Sequence, residues 1–287
     1  MTQPTESPPE RSALPGINVL LEGATGTGKT HALGTMVDAG VECFALFTES
    51  GLETLLGYWR DRNLPVPDNL HWHELARPKG SFDVLARTAN DINTLSQEAL
   101  YKMSDPNRGK QNQFTEMLRV MGNYTDQRTG QSFGAVDSWG PNRALLLDSL
   151  SGINPIAMSL VVGGKPVRSQ ADWGIAQQQI ENLVRLLCDG CRCHFVMTAH
   201  VEREVDQVFG GVKVTVATLG RALAPKIPPL FSDVVLTLRE GTKFSWSTAN
   251  PQADLKARNL PIADGIPPNF KVMLDKWQQR GGRFTAN

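Results

Sequence analysis

Residues 23–30 read Gly-Ala-Thr-Gly-Thr-Gly-Lys-Thr, which fits the pattern G-x-x-x-x-G-K-T. Residues 17–21 before this segment are apolar and follow a Pro-Gly pair, which predicts a short buried strand. Residues 30–38 after it predict a helix that ends at Gly40. A glycine-rich turn between a strand and a helix presents backbone N–H groups at the positive helix end, where phosphates bind. The segment therefore constrains the chain to an α/β fold and predicts a phosphate site.

The same pattern assigns chemistry to particular residues. Lys29 can reach the β and γ phosphates of a nucleoside triphosphate such as ATP, and the Thr30 hydroxyl can bind Mg²⁺. A glycine-rich turn that binds no ligand is the alternative. The predicted nucleotide-binding residues are Gly23, Ala24, Thr25, Gly26, Thr27, Gly28, Lys29 and Thr30.

Strands and helices alternate along the rest of the chain. Further strands are predicted at residues 41–47, 70–75 (at a sheet edge), 144–148 and 195–199, with helices at 81–103, 114–121 and 172–188. Residues 212–217, 233–239 and 243–247 predict a β-rich C-terminal part. We expect a mostly parallel twisted sheet flanked by helices. The expected organisation is a disordered tail (1–15), one domain (16–274) with an insertion at about 104–141, and a C-terminal tail (275–287).

Composition limits the classes of function. The chain has 287 residues, with 29 basic and 29 acidic side chains, so its formal net charge is zero. A DNA contact must then come from a local patch or from a surface shared by several subunits. The sequence has neither a membrane-length apolar stretch nor the order of a signal peptide, so no membrane contact and a cytoplasmic location are expected.

Three of the four cysteines lie close together in the sequence. Cys188, Cys191 and Cys193, followed by His194, match C-x-x-C-x-C-H and suggest a zinc site. The same residues also fit a helix end, a turn and a buried strand. Free buried thiols are therefore the default interpretation, with zinc as the alternative.

Three polar residues follow apolar strands, and two cations follow the β-rich part. Asp148 is placed to hold Mg²⁺, although it could instead cap a helix. Glu49 is placed to polarise a water molecule, and His200 to sense the γ-phosphate; a solvated loop glutamate and a structural histidine are the alternatives. Lys256 and Arg258 lie on one face of an extended segment and can reach a phosphate on this subunit or its neighbour, or form an ordinary solvated loop.

In their joint order these elements resemble the RecA superfamily, in its RecA–DnaB–KaiC branch, over about residues 16–262. The chain is most similar to the phage-encoded ATPases of the fourth Sak family, which are single-strand annealing or recombinase-like proteins. The phrases that carry the likeness are Asp148-Ser149-Leu150-Ser151, Thr198-Ala199-His200, Pro228-Pro229-Leu230-Phe231-Ser232-Asp233 and Lys256-Ala257-Arg258-Asn259-Leu260-Pro261.

The resemblance implies a RecA-like P-loop ATPase core and a role for each site residue. Glu49 would activate water, Asp148 would hold Mg²⁺, and His200 would replace the γ-phosphate-sensing glutamine. Lys256 and Arg258 would complete the ATP site of an adjacent subunit in a homo-oligomeric ring or filament. Single-stranded DNA would lie on two loops, at residues 162–169 and between residues 200 and 226. Their candidate DNA-binding residues are Lys165, Arg168, Arg203, Lys213 and Arg221.

The resulting hypothesis is an ATPase that is stimulated by single-stranded DNA and works in phage-type DNA recombination, in the host cytoplasm if phage-encoded. A single-strand-binding protein is a candidate partner. A DnaB-type helicase or helicase loader is the first alternative. The second is a switch that recruits another protein only when ATP is bound. A small-molecule kinase, with residues 104–141 as its lid, is the weakest alternative.

Overall fold

The computed structural model describes residues 14–76, 81–102, 113–163, 168–205 and 210–285. These residues contain nine strands: β1 (Asn18–Gly23), β2 (Glu42–Phe47), β3 (Leu70–Glu74), β4 (Arg143–Asp148), β5 (His194–Ala199), β6 (Val201–Val205), β7 (Val212–Val216), β8 (Asp233–Glu240) and β9 (Lys243–Ser247). Seven of the strands form one sheet in the order β3-β2-β4-β5-β1-β8-β9. Strands β6 and β7 form a separate antiparallel hairpin.

Six neighbouring strands of the sheet are parallel, and only β9 is antiparallel to its neighbour β8. The prediction of a mostly parallel sheet is therefore confirmed, as is the edge position of the strand near residue 70. Because parallel strands end at the same side of a sheet, the carboxyl ends of β1, β2, β4 and β5 lie together. We call this side the carboxyl edge, and the opposite side the amino edge.

Helices cover both faces of the sheet, as predicted. The described helices are α1 (Lys29–Asp38), α2 (Leu52–Arg60), α3 (Phe82–Thr94), α4 (Gln97–Lys102), α5 (Gln113–Gly122), α6 (Leu150–Val162), α7 (Gln170–Arg185) and α8 (Phe270–Gln279). Helices α1, α2 and α8 pack on one face, and α5, α6 and α7 pack on the other. Within β1, Val19 and Leu21 point to the first layer and Leu20 to the second, because strand side chains alternate between faces.

The structure corrects several predicted boundaries. Helix α6 directly follows β4, so the first predicted DNA loop comes after this helix and not straight after the strand. The predicted second loop is largely the hairpin β6–β7. The predicted helix at residues 81–103 is broken where Leu95 leaves helical geometry. Helix α8 continues through residue 279 with Trp277 buried, so the predicted domain end at 274 cuts a packed helix.

Some predictions lie wholly or partly outside the described residues. The predicted N-terminal tail is described only from residue 14, and Lys165 is not described. The expected insertion is described from residue 113, and this part packs into the core. Tyr124 donates a 2.6 Å hydrogen bond to the Ala45 carbonyl, and Trp139 packs against Phe44 with ring centroids 4.3 Å apart.

Candidate functional site

The turn between β1 and α1 has the backbone geometry that its glycines permit. Gly26 and Gly28 have φ values of 77° and 84°, in the left-handed region that disfavours other residues. Gly28 is the N-cap of α1 and provides no side-chain acceptor for the first N–H groups of the helix. These donors, at the positive end of a ten-residue helix, are therefore suited to an anion.

Lys29 lies folded against this turn. Its ammonium donates hydrogen bonds of 2.8 Å to the carbonyls of Gly23 and Ala24, and only 8% of the residue is exposed. Burial lowers the pKa of Lys29 to about 8, an effect partly opposed by the nearby carboxylates of Asp148 and Glu49. A polyphosphate in the turn would supply negative charge to this partly desolvated cation.

Asp148 is held at the end of β4 by two hydroxyl groups. The Thr30 hydroxyl donates to one carboxylate oxygen at 2.8 Å, and the buried Thr198 hydroxyl donates to the other. Because β4 lies beside β5, Thr198 on β5 reaches Asp148 from the neighbouring strand. The peptide bond that follows Asp148, to Ser149, is cis. The hydrogen bond from Thr30 and the electrostatic interaction of Lys29 with the same carboxylate bring these three residues together at the carboxyl edge.

Glu49 and His200 form the outer part of the same cluster. Glu49 follows β2 by two residues, and one carboxylate oxygen lies 3.9 Å from the Nε2 atom of His200. The other ring nitrogen of His200 lies 3.5 Å from the Thr25 hydroxyl. The histidine thus links the tip of the glycine-rich turn to Glu49. Its backbone N–H donates to the Ser151 hydroxyl at 3.1 Å, which ties it to α6 as well.

Close packing fixes the segment that carries Glu49. The Thr48 hydroxyl both accepts a hydrogen bond from the backbone N–H of Ser149 and donates one to its carbonyl. A Cβ atom on Gly152 would lie 2.3 Å from the Thr48 hydroxyl and 2.7 Å from the Glu49 side chain. Only glycine therefore allows α6 to approach this segment so closely.

The hairpin formed by β8 and β9 adds an aromatic ring beside the turn. Phe244 lies 3.0 Å from the position that a Cβ atom on Gly28 would take, and 40% of the residue is exposed. The Arg239 guanidinium lies 5.4 Å from the centre of the Phe244 ring. Arg239 and Arg203 also line a cavity of about 350 Å³ beside the turn.

A second cavity, of about 220 Å³, lies on the other side of the β6–β7 hairpin. It is lined by the acids Glu22, Glu202, Glu204 and Asp254 and by two cations. Glu22 precedes the turn on β1 and is only 2% exposed. Burial, reinforced by the charge of Asp254, raises the pKa of Glu22 to about 8.

Lys256 and Arg258 do not join the cluster within one chain. Lys256 pairs with Val234 near the start of β8, and its ammonium donates to the carbonyls of Phe231 (2.6 Å) and Pro229 (3.2 Å). Both cations therefore lie at the amino edge, whereas Lys29 lies at the carboxyl edge.

The predicted DNA-binding cations are dispersed. Lys213 and Arg221 form ion pairs with Asp254 (2.9 Å) and Glu204 (3.1 Å). Arg203 is exposed on the face of the hairpin directed toward the turn, and Arg168 precedes the N-cap of α7. The described residues thus contain no continuous basic surface made of these side chains.

The cysteines of the possible zinc site are buried thiols. Burial raises the pKa of Cys191 to about 11, that of Cys193 to about 12, and that of Cys188 further still. His194 accepts a hydrogen bond from the backbone N–H of Ile17. Over the described parts of the chain, no group of three or more His, Cys, Asp or Glu residues is arranged to hold a metal ion.

Several residues of the cluster were not predicted from the sequence. Thr198 had a usable signal, since it is a polar residue within an otherwise apolar strand that ends beside Asp148. Thr48, Gly152 and Phe244 had no such signal, because their roles depend on contacts between distant segments.

No protein-family model matches the chain, and no curated protein matches it. None of its described helices has the length and apolar character needed to cross a membrane.

Proposed function

We propose that the chain binds and hydrolyses ATP in a RecA-like P-loop core. The observation that carries the proposal is the convergence of Lys29, Thr30, Asp148 and Glu49 at the carboxyl edge of one sheet, beside the uncapped first N–H groups of α1. Three segments that are distant in sequence contribute these groups, and their chemistry is that of triphosphate hydrolysis.

The oxygen atoms at the site fit Mg²⁺. Thr30 offers a hydroxyl and Asp148 a carboxylate, 2.8 Å apart, and oxygen ligands are those that Mg²⁺ prefers. Thr30 and Asp148 would therefore hold the ion. When bound, Mg²⁺ supplies positive charge to the β and γ phosphates.

Side chains of the chain itself bind the phosphates, activate the water and respond to the γ-phosphate. The turn and Lys29 bind the phosphates and fix their orientation. Glu49 accepts the proton of the attacking water, and its nearby partner His200 orients it. Because His200 also approaches Thr25 and directly precedes β6, a change at the γ-phosphate would be passed to the β6–β7 hairpin.

We extend the proposal to single-stranded DNA and recombination, as the resemblance implies, with action as a homo-oligomer. Support comes from the position of the β6–β7 hairpin directly after His200 and from Arg203 on the hairpin face directed toward the turn. The ion pairs of Lys213 and Arg221 weigh against a role for these two residues. Arg203 is therefore the main candidate for a DNA contact.

The test is ATP turnover with and without single-stranded DNA, for the natural chain and for two variants. We expect turnover to rise with DNA and to be lost in Lys29→Ala and Glu49→Gln, with nucleotide affinity retained in Glu49→Gln. Absence of ATP binding would refute the ATPase proposal. ATP turnover that does not change with saturating single-stranded DNA would refute only the proposed action on DNA. Directional unwinding of a tailed duplex would favour the helicase alternative.

A further inference from the structure

A small cavity at the amino edge brings two arginines together. Arg258 and Arg280 line a cavity of about 210 Å³, and its lining among the described residues also includes Ser232 and Asn259 but no acidic residue. A guanidinium nitrogen of Arg280 donates a 3.1 Å hydrogen bond to the backbone carbonyl of Arg258. Two positive side chains therefore border one solvent-accessible space, which favours an anion.

The backbone beneath these arginines is firmly held. The buried Asp233 carboxylate accepts hydrogen bonds from the backbone N–H groups of Arg258 and Asn259, each at 2.7 Å. It also accepts from the side chains of Ser232 and Asn259. The Asp233 carboxylate thus accepts four hydrogen bonds from groups close to it, and two of these bonds fix the backbone at Arg258 and Asn259.

Helix α8 places Arg280. Trp277, in the last turn of the helix, is buried against His194 with ring centroids 4.7 Å apart, and its indole N–H donates to the Pro15 carbonyl. Phe270, at the start of the helix, donates its backbone N–H to the Thr35 hydroxyl on α1. Residues 275–279, the first part of the segment predicted as a C-terminal tail, therefore belong to a packed helix that ends at this cavity.

The anion cannot be the triphosphate of the same chain. The cavity lies at the start of β1, and the glycine-rich turn lies at its end, five residue steps or about 17 Å further along the strand. Lys256 is also unsuited to the role that the resemblance gives it, because its ammonium is bound to two backbone carbonyls. Arg280 provides the second cation that Lys256 does not.

We propose that Arg258 and Arg280, rather than Lys256 and Arg258, form the surface that completes the nucleotide site of a neighbouring copy of the chain. The ligand is the terminal phosphate of the triphosphate bound to that copy. Two guanidinium groups suit it because each can donate paired hydrogen bonds to phosphate oxygens. This inference rests on the proposed ATPase function and adds a residue from α8 to its site.

The test uses Arg280→Ala, with Arg283→Ala as a matched control that removes an exposed arginine three residues later. We expect Arg280→Ala to keep its ATP affinity within about threefold and to lose turnover roughly 10- to 100-fold. Arg283→Ala should keep the natural turnover. Arg280→Lys retains the charge and should show a smaller loss of turnover. This variant keeps the inference testable if Arg280→Ala proves unstable.

Mixed assemblies separate action between subunits from action within one. In a mixture of Arg280→Ala with Glu49→Gln, each Arg280→Ala site beside a Glu49→Gln copy regains Arg280, so turnover should recover. The double variant Glu49→Gln/Arg280→Ala, mixed with Arg280→Ala, should give no recovery. Natural turnover in Arg280→Ala, or a loss that no mixture restores, would overturn the inference. If the natural chain itself hydrolyses no ATP, the result refutes the proposed ATPase function, on which this inference rests.

Discussion

Glu22 provides a quantitative test of the structure that does not depend on the proposed function. This carboxyl group lies on the strand that leads into the glycine-rich turn, and the residue is only 2% exposed. It adjoins the acidic cavity, and among the described residues its side chain makes no hydrogen bond or ion pair. Burial and the charge of Asp254 raise its pKa from an ordinary 4.5 to about 8. The structure therefore favours the neutral carboxylic acid.

The sign of the pH effect follows from this direction. A carboxyl group whose pKa is higher in the folded chain than in the unfolded chain holds its proton more tightly when folded. The free energy of unfolding then falls by about 1.4 kcal/mol per pH unit between pH 4.5 and 8. The accumulated loss is about 3 kcal/mol at pH 7 and about 5 kcal/mol at pH 9, where it levels off.

Replacement by glutamine removes this titration while it keeps the size and polarity of the side chain. We expect Glu22→Gln to match the natural chain near pH 4.5 and to be more stable above it. At pH 7 the melting temperature should rise by roughly 6 °C, since each kcal/mol changes it by about 2 °C in a chain of this size. Thermal unfolding followed by circular dichroism at pH 5, 7 and 9 measures the difference.

The comparison is controlled because other titrating groups, including Lys29, are present in both proteins and cancel in the difference. Glu240→Gln, at an exposed carboxyl group, should follow the natural chain at every pH. A Glu22→Gln variant that also follows it from pH 5 to 9 would refute the reasoning, because Glu22 would then titrate as it does in water.

Three further predictions concern the nucleotide site. Because the pKa of Lys29 is about 8, ATP binding should take up a fraction of a proton at pH 8 and weaken at higher pH, as calorimetry in buffers of different ionisation enthalpy can measure. Phe244→Ala should weaken ATP binding about tenfold through lost base stacking, yet leave tripolyphosphate binding unchanged in a competition assay. Gly152→Ala should displace Glu49 and lower turnover roughly 100-fold with ATP affinity kept, whereas Gly174→Ala, which meets no atom within 4 Å, should match the natural turnover.

The sequence predicted those features that depend on local patterns. The strand, turn and helix around residues 17–38 follow from apolar runs and glycine positions, and the parallel sheet follows from alternation of strands and helices. Ser81, a residue type typical of helix N-caps, lies directly before α3, and its hydroxyl accepts a hydrogen bond from the backbone N–H of Val84. Asp148 and Thr30 were predicted individually as metal ligands, and the structure places their oxygens 2.8 Å apart.

Features that depend on contacts between distant segments were not predictable from one sequence. The contact between Gly152 and Thr48 joins residues about a hundred positions apart, and no local pattern marks it. Strand β7 was predicted as part of the β-rich region at residues 212–217, but β6, which interrupts its apolar residues with charged ones, was not. Arg280 follows α8, a helix that the predicted domain end at residue 274 divides between a domain and a tail.

The order of the strands links the two halves of the proposed reaction. Parallel strands bring Lys29, Asp148 and Glu49 to the carboxyl edge. The same geometry places Arg258, whose backbone N–H donates to Asp233 at the start of β8, at the amino edge. A strand of six residues separates the acid-bearing site from the arginine-lined cavity, and this distance exceeds the reach of a side chain. In the proposed assembly, head-to-tail contact would bring the arginines of one copy to the carboxyl edge of the next, and such contacts can close into a ring or extend as a filament. Hydrolysis that needs both edges would therefore depend on assembly, whichever of these two forms the assembly takes.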